Sequence, residues 1–322
     1  MLAAINHTLA REMERDERVM VLGEDVGRNG GVFRATEGLQ ARFGAARVVD
    51  TPLAEAVIVG AAIGLAASGM RPVAEIQFLG FLYQAFHQVA GQANRLRFRS
   101  NGAHHAPLVI RSPFGGGVRT PELHADSLEP QLASVPGLHV VLPASAADAK
   151  GLLTTAIRSE DPVLFLEPLR GYRQIKGPVP LGEHLTPFGS ARLVRPGDDL
   201  VIVAWSYQVE LARRAAERLA EEGASVGVLD LRTLCPLDLD GLAAAVCRTG
   251  RAVVVQEAPE TGGFASEIIA TLMEECFYDL EAPIARVSAP DTPFPLGALE
   301  DDYIPSVERI AAACRRVLGA AP

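Results

Sequence analysis

Short β-rich runs alternate with helical stretches along almost the entire chain, and this alternation limits the possible folds more than any other feature. The runs at 19–22, 108–110 and 163–166 are typical, since each is wholly apolar and is followed after a loop by a longer stretch of helical character. Alternation of this kind is characteristic of parallel sheets whose two faces are covered by the connecting helices. The sequence therefore predicts the α/β class, with largely parallel sheets.

The alternation defines two sets of predicted elements. The strands are placed at 19–22, 73–77, 108–110, 138–141, 163–166, 200–203, 224–228, 252–255 and 284–287. The helices are placed near 2–16, 54–69, 81–99, 126–134, 146–158, 206–222, 238–248, 263–276 and 304–318. The second half repeats the scheme of the first on a smaller scale, which predicts two α/β/α domains.

A stretch rich in proline and glycine separates the two halves. Five prolines and four glycines fall between positions 168 and 196. Residues of both types interrupt regular structure, because proline lacks a backbone donor and glycine has the most conformational freedom to lose. We therefore predict a first domain over residues 1–175, a linker over 176–198 and a second domain over 199–322.

The composition excludes several classes of protein. Hydrophobic residues make up 48% of the 322 residues, so the chain can bury enough apolar surface to offset the entropy of ordering. The net charge of −9 argues against nucleic acid as a partner, since phosphate binding needs concentrated lysine and arginine. The four cysteines show no Cys-x-x-Cys spacing, which favours reduced thiols in a cytoplasmic protein.

The most apolar segment is too short to cross a membrane. It runs from Ala56 to Gly69 and is bounded by Glu55 and Arg71. A helix of these 14 residues would span about 21 Å, whereas the hydrocarbon core of a bilayer is about 30 Å thick. The segment is therefore predicted as a buried helix, and no membrane partner is expected.

Common catalytic and nucleotide-binding motifs are absent from the sequence. It contains no Walker-type phosphate loop, no Gly-x-Gly-x-x-Gly turn, no His-Glu-x-x-His and no Gly-x-Ser-x-Gly. The glycines at 115–117 follow a predicted strand but lead into Pro121 and not into a helix, so we predict a flexible loop near an active site. The adjacent His104 and His105 lie in a polar loop, which favours solvated side chains over metal ligands.

Local phrases spread over the chain carry a more specific signal. They are Leu-Gly-Glu-Asp-Val-Gly at 22–27, Asp-Thr-Pro-Leu-Ala-Glu at 50–55, Glu-Ile-Gln-Phe at 75–78, Pro-Glu-Leu-His-Ala-Asp-Ser-Leu-Glu at 121–129, Asp-Ala-Lys-Gly-Leu-Leu at 148–153 and Asp-Leu-Arg-Thr-Leu at 230–234. From about residue 5 to 318, in order and with few gaps, the chain resembles the beta subunit of thiamine-diphosphate-dependent 2-oxoacid dehydrogenases, a transketolase-like family. The resemblance implies a pyrimidine-binding domain followed by a transketolase C-terminal domain.

The resemblance also implies a partner chain. Members of this family hold magnesium diphosphate through a Gly-Asp-Gly sequence and an asparagine some way beyond it. This chain has no Gly-Asp-Gly, and its asparagines are Asn6, Asn29, Asn94 and Asn101. Thiamine diphosphate is therefore expected to bind between two chains, with the diphosphate and Mg²⁺ held by an alpha subunit in an alpha2beta2 heterotetramer.

The resemblance assigns roles to five residues of the first half. It makes Glu55 the carboxyl group that hydrogen-bonds a ring nitrogen of the aminopyrimidine and so promotes deprotonation of the thiazolium carbon. Leu53, Gln77 and Phe81 fall where family members contact the aminopyrimidine, with Phe81 stacked on the ring. His124 corresponds to the family's active-site histidine, which stabilises charge or donates a proton near the substrate.

Without the resemblance, each of these residues has a simpler interpretation. Glu55 would be an acidic residue in the first turn of a helix, where the helix dipole favours it. Leu53, Gln77 and Phe81 would belong to the strand and helix core. His124 would be a solvated loop histidine. The functional hypothesis therefore depends on the match of the surrounding sequence.

A structural potassium ion is also implied by the resemblance. Family members bind it mostly through backbone carbonyls, and the matching positions here are Leu108, Ala156, Ile157, Ser159 and Asp161. Carbonyl ligands depend little on side-chain identity, so the sequence itself gives this site little support.

The predicted function is oxidative decarboxylation of a 2-oxoacid, with transfer of the acyl group to a lipoyl group on an acyltransferase core. His124-Ala125-Asp126 replaces the more common His-Ser-Gln of the family and favours pyruvate. A branched-chain 2-oxoacid or acetoin complex is an alternative, and a non-catalytic scaffold for an alpha-like chain is a third. The acidic run at 300–302 is a candidate docking surface for the core.

Overall fold

The computed structural model describes residues 1–319, and within this range twelve strands form two sheets. The strands are β1 (Val19–Gly23), β2 (Val48–Asp50), β3 (Arg71–Glu75), β4 (Val109–Phe114), β5 (His139–Val141), β6 (Val163–Pro168), β7 (Arg192–Arg195), β8 (Leu200–Ala204), β9 (Val226–Asp230), β10 (Thr233–Cys235), β11 (Ala252–Pro259) and β12 (Ala285–Ala289). The first sheet has the order β10-β5-β6-β4-β3-β1-β2, and the second has the order β12-β11-β8-β9-β7.

The strand pairs are parallel with two exceptions at sheet edges. Strand β10 pairs with β5 in antiparallel fashion, and β7 does the same with β9. In both sheets the central strands are buried along their whole length, as expected when helices cover both faces. The predicted α/β class with largely parallel sheets is confirmed.

The α-helices of the described chain lie mainly between successive strands. They are α1 (Leu2–Arg15), α2 (Leu39–Phe43), α3 (Glu55–Ala67), α4 (Leu96–Arg99), α5 (Glu129–Ala133), α6 (Ala146–Arg158), α7 (Gly171–Gln174), α8 (Gln208–Glu221), α9 (Leu239–Thr249), α10 (Phe264–Glu275), α11 (Glu300–Tyr303) and α12 (Val307–Leu318). Among the described residues no helix is both long and apolar enough to span a bilayer.

Every predicted strand overlaps an observed one, and the three strands that were not predicted lie at sheet edges. These are β2, β7 and β10, each of three or four residues. An edge strand of this length has no continuous apolar run, because it needs only the backbone of one neighbour to form. The alternation of the sequence therefore predicts the central strands of both sheets but not these short edge strands.

The prediction of one regular helix over 81–99 is wrong. The segment begins with a 3-10 turn over Leu79–Ala85, continues as a π-helical turn over Gln88–Gln92, and reaches α4 after a second 3-10 turn. The first of these turns packs against α3 and against the loop that contains Leu123. Tertiary packing thus overrides the helical pattern of the sequence here.

The two halves of the chain share one hydrophobic core. Leu164 and Leu166 of β6 belong to the same buried cluster as Val203 of β8, Trp205 and Leu234 of β10. Strand β10 follows β9 in the chain and yet completes the first sheet. The predicted division of the chain into residues 1–175, 176–198 and 199–322 stays a prediction.

Candidate active site

The candidate site lies at the carboxyl ends of neighbouring parallel strands in the first sheet. The chain passes from β1 to β2 on one side and then returns to β3 on the other side of β1. A crevice forms at such a reversal, and ligands of open α/β sheets bind in it. Glu24 follows β1, Gln77 and Phe78 follow β3, and the glycine loop at 115–117 follows β4.

Glu55 begins α3, and its carboxyl group is buried without a complete set of partners. The residue is 2% exposed, and its Oε2 atom makes no hydrogen bond with any residue of 1–319. A buried carboxylate oxygen without a donor is costly, so Oε2 of Glu55 is available to a donor from outside the chain. A protonated ring nitrogen, as in an aminopyrimidine, is a donor of the required kind.

A second carboxyl group, Glu24, lies near Glu55 and was not singled out from the sequence. It is buried, and burial raises its pKa, with the charges of Glu55 and Asp25 adding to the rise. This environment favours the protonated form of the Glu24 carboxyl group. The available signal was an acidic residue directly after the wholly buried strand β1.

Phe81 and His124 are brought together, with Phe78 as a third aromatic ring. The ring centroids of Phe78 and His124 are 4.4 Å apart, and those of Phe81 and His124 are 4.9 Å apart. The Nδ1 atom of His124 lies 2.8 Å from the carbonyl oxygen of Glu122. A carbonyl can only accept, so Nδ1 is the donor and Nε2 is left to act toward a substrate.

The loop that carries His124 sits directly on Gly80. A Cβ atom added at Gly80 would lie 2.0 Å from the carbonyl oxygen of Leu123, which is closer than any real contact. Leu123 itself has a φ of 66°, in the left-handed region that is unfavourable for a branched side chain. Gly80 is therefore required for His124 to occupy its position.

Carboxyl groups from the second half hold the glycine loop in place. Glu257 accepts a 2.5 Å hydrogen bond from the backbone N–H of Gly116, and Gln208 donates to its other oxygen at 3.0 Å. Glu300 accepts from the backbone N–H groups of Gly117 and Arg119. Burial raises the pKa of Glu257, while these donors oppose the rise.

The structure corrects one expectation about the acidic run at 300–302. Glu300 is 1% exposed and bonds within the chain, so it cannot present its charge to a docking partner. Asp301 is exposed but forms an ion pair with Arg119 at 2.5 Å. The prediction of a docking surface is therefore wrong for Glu300.

The remaining predicted contacts of the aminopyrimidine differ in their surroundings. Leu53 is 78% exposed in this single chain, and Gln77 is half-buried just beyond β3. The residues behind the site form a buried polar network on β3, β4 and β6. In this network Arg111 donates a hydrogen bond to Glu75, and its Nε atom donates to Glu167 at 2.8 Å.

The five carbonyls predicted as potassium ligands each accept a hydrogen bond. Arg71 donates from Nη1 to the carbonyls of Ile157 at 3.1 Å and Ser159 at 2.9 Å. The carbonyl of Leu108 accepts from the N–H of Val163, and that of Ala156 accepts from the N–H of Ser159. The carbonyl of Asp161 accepts from the hydroxyl group of Ser159. A carbonyl oxygen has two lone pairs, so each can accept a second partner, although the Arg71 guanidinium already places a positive charge at two of the five.

Comparison with known proteins defines the class of this fold and site. The family model "Transketolase, pyrimidine binding domain" matches residues 1–174, and "Transketolase, C-terminal domain" matches residues 189–310. The chain belongs to the transketolase family. A solved structure titled "Split gene transketolase, inactive beta4 tetramer" is similar in fold, with a TM-score of 0.82, 23% identity and coverage of 99% of this chain and 98% of that one.

Within the family the chain is most informatively compared with full-length bacterial relatives. It is 52% identical over 318 residues to "Pyruvate dehydrogenase E1 component subunit beta" of Staphylococcus epidermidis, covering 99% of this chain and 98% of that protein. The protein of the same name from Bacillus subtilis is 50% identical with the same coverage. The family predicted from the sequence is thereby confirmed.

Proposed function

We propose that this chain is the beta subunit of the decarboxylating component of a 2-oxoacid dehydrogenase complex, with pyruvate as the substrate. Relatives with 50–52% identity along their whole length are named as pyruvate dehydrogenase beta subunits, which favours pyruvate over a branched-chain 2-oxoacid or acetoin. The observation that carries the proposal within the structure is the buried Oε2 atom of Glu55, which has no hydrogen-bond donor in the described chain.

The surroundings of Glu55 favour a site that is shared with an alpha subunit. Leu53 is 78% exposed and Val57 is 61% exposed, although both flank a carboxyl group that is buried. Apolar side chains in such a position are typical of a surface that another chain covers. This chain also lacks the sequence that holds the diphosphate, so an alpha chain supplies that part, with its Mg²⁺, in an alpha2beta2 assembly.

Thiamine diphosphate, when bound, supplies the carbon nucleophile and the electron sink that decarboxylation of a 2-oxoacid requires. Glu55 holds a proton at the ring nitrogen, and Gln77 binds the polar edge of the aminopyrimidine. Phe81 and Phe78 provide an apolar wall that excludes water.

His124 acts on the substrate side of this proposed site. Its Nδ1–H is directed to the carbonyl of Glu122, so Nε2 accepts or returns a proton at the substrate oxygen. The acyl group then leaves to a lipoyl group on the acyltransferase core, the second proposed partner. A potassium ion at the carbonyls of Leu108, Ala156, Ile157, Ser159 and Asp161 would use their second lone pairs and have a structural role.

The test is Glu55→Gln in the complex of this chain with its alpha subunit. Glutamine keeps the shape but cannot exchange a proton, so we expect a loss of roughly 100-fold or more in pyruvate decarboxylation. Glu17→Gln is the matched control, because Glu17 is exposed in the turn between α1 and β1 and its substitution should leave the rate unchanged. Full activity of Glu55→Gln would favour the scaffold alternative.

The substrate is tested separately with the unmodified complex. Pyruvate and 3-methyl-2-oxobutanoate are compared by kcat/KM, and pyruvate is expected to be the better substrate. A preference for the branched acid would contradict the assignment of pyruvate as the substrate, but it would not contradict the family function. Turnover by this chain alone would contradict the shared site.

A further inference from the structure

Two of the four cysteines meet in the second half of the chain. The Sγ atoms of Cys247 and Cys276 are 2.6 Å apart, although 29 positions separate the residues in sequence. Cys247 lies in the last turn of α9, and Cys276 is the residue that ends α10. A disulfide needs sulfur atoms about 2.05 Å apart, so the two thiols need to move by less than 1 Å to bond.

The framework around the pair is well packed. Helix α9 ends at Gly250, whose φ of 63° and hydrogen bond from its N–H to Val246 complete the cap. The carbonyl of Gly250 accepts from Glu281 N–H at 2.8 Å, just beyond the segment that carries Cys276. Arg251 and Glu281 form an ion pair at 2.6 Å across the same junction. The helix ends that carry the thiols are thus fixed relative to each other.

The two thiols differ in their accessibility. Cys276 is fully buried in the hydrophobic core, whereas Cys247 is half-buried. Burial raises the pKa of the Cys276 thiol to about 12, with the neighbouring Cys247 adding to the rise. An external reagent therefore reaches Cys247 first, and Cys276 is placed to react only with Cys247.

We infer that Cys247 and Cys276 form a redox-active thiol pair, which low-molecular-weight disulfides oxidise reversibly to an intrachain disulfide. The Cys247 thiol loses its proton to solvent and its sulfur attacks one sulfur of the small disulfide, which releases one thiolate. Cys276 then loses its proton and attacks Sγ of Cys247, which releases the second thiolate. In sum two protein thiols are oxidised and one small disulfide is reduced to two thiols.

The bond would join α9 to the end of α10, and so stiffen one wall of a groove. The groove has a volume of about 600 Å³ and is lined by Leu239 of α9, Phe264 of α10 and Cys235 of β10. The loop closed by the bond is 29 residues long, which is enough for substantial restriction of the unfolded chain. Oxidation is therefore expected to raise the Tm of the full-length chain by roughly 5 °C.

The test uses the folded full-length chain at several ratios of oxidised to reduced glutathione. Free thiols are alkylated after quenching, and peptides are mapped by mass spectrometry. We expect one linked pair, Cys247 with Cys276, which dithiothreitol separates again. A wild-type chain that carries glutathione on Cys247 and never forms the linked pair would overturn the inference, and this result requires no variant.

Two variants provide the matched comparison. Cys247→Ser should abolish both the linkage and the rise in Tm on oxidation. Cys235→Ser should leave both unchanged, because the sulfur of Cys235 lies against the carbonyl of Ala133 at 3.2 Å and not against another thiol. A rise in Tm that persists in Cys247→Ser would also contradict the inference. The inference does not depend on the proposed function.

Discussion

Glu129 gives the sharpest prediction of how the stability of the chain depends on pH. It begins α5, is fully buried, and accepts a 3.4 Å hydrogen bond from the indole N–H of Trp205 in the second half. Burial raises its pKa from the ordinary 4.5 to about 7, and the charge of Glu257 adds to the rise. The folded chain therefore binds a proton at Glu129 that the unfolded chain has already released.

The sign and size of the effect follow from this difference in proton binding. Below pH 4.5 both states hold the proton, and the full stability of the group is present. As the pH rises from 4.5 to about 7, the unfolded state alone is ionised, so stability is lost. The difference between the pKa of Glu129 in the folded and in the unfolded chain corresponds to about 3 kcal/mol in total, since each pKa unit is worth about 1.4 kcal/mol. The side chain introduced by Glu129→Gln cannot ionise, so this variant should not lose stability over the same pH range.

The assay is urea unfolding of the full-length chain at pH 5, 6, 7 and 8, followed by fluorescence of Trp205, the single tryptophan of the chain. The free energy of unfolding of Glu129→Gln, relative to wild type, should increase by about 2.5 kcal/mol between pH 5 and pH 8, because part of the loss has already occurred at pH 5. Asp230, whose pKa burial also raises to about 7, is present in both proteins and cancels in the comparison. A difference that stays constant over this range would refute the reasoning.

Three further substitutions test the packing around the candidate site. Gly80→Ala should displace the loop of His124 and lower kcat of the complex by roughly 10-fold to 100-fold, because its Cβ would meet the Leu123 carbonyl. Gly177→Ala, at an exposed position between the two halves, has open space and should leave kcat unchanged. Arg111→Met leaves Glu75 and Glu167 buried without their cation, so it should lower the free energy of unfolding by about 3–5 kcal/mol. The control Arg218→Met removes an exposed ion pair with Glu308 and should cost less than about 1 kcal/mol in the same denaturation assay. Glu300→Ala should free the glycine loop and increase the rate of tryptic cleavage after Arg119, and unchanged protection relative to Asp302→Ala would contradict the role given to Glu300.

The sequence predicts the interior of this fold well because the interior obeys a repeating pattern. Central strands such as β1 and β8 are buried on both faces, and burial on both faces requires the continuous apolar runs that are visible in the sequence. The irregular segment at 79–95 could not be predicted, since its form depends on α3 and on the loop at Leu123, which are distant in sequence.

Some residues of the candidate site can likewise be found from the sequence, and others cannot. Glu55 and His124 stand in local phrases of the sequence, and Phe81 lies three positions beyond the phrase at 75–78, so a resemblance can find them one at a time. Glu257 and Glu300 reach the glycine loop across 141 and 183 positions of sequence, and no local pattern encodes such a contact. The one signal at Glu257 is an acidic residue in a buried strand that begins with the apolar run 252–255.

Strand β10 has a consequence for how this protein could be divided or recombined. It comes after the first strands of the second sheet, yet it forms the outermost ribbon of the first sheet beside β5. A chain severed at 176–198 would leave the backbone donors and acceptors of β5 uncovered, and such an edge invites pairing with foreign strands. A chimera that exchanges second halves between relatives must therefore supply a β10 strand that pairs with the recipient's β5.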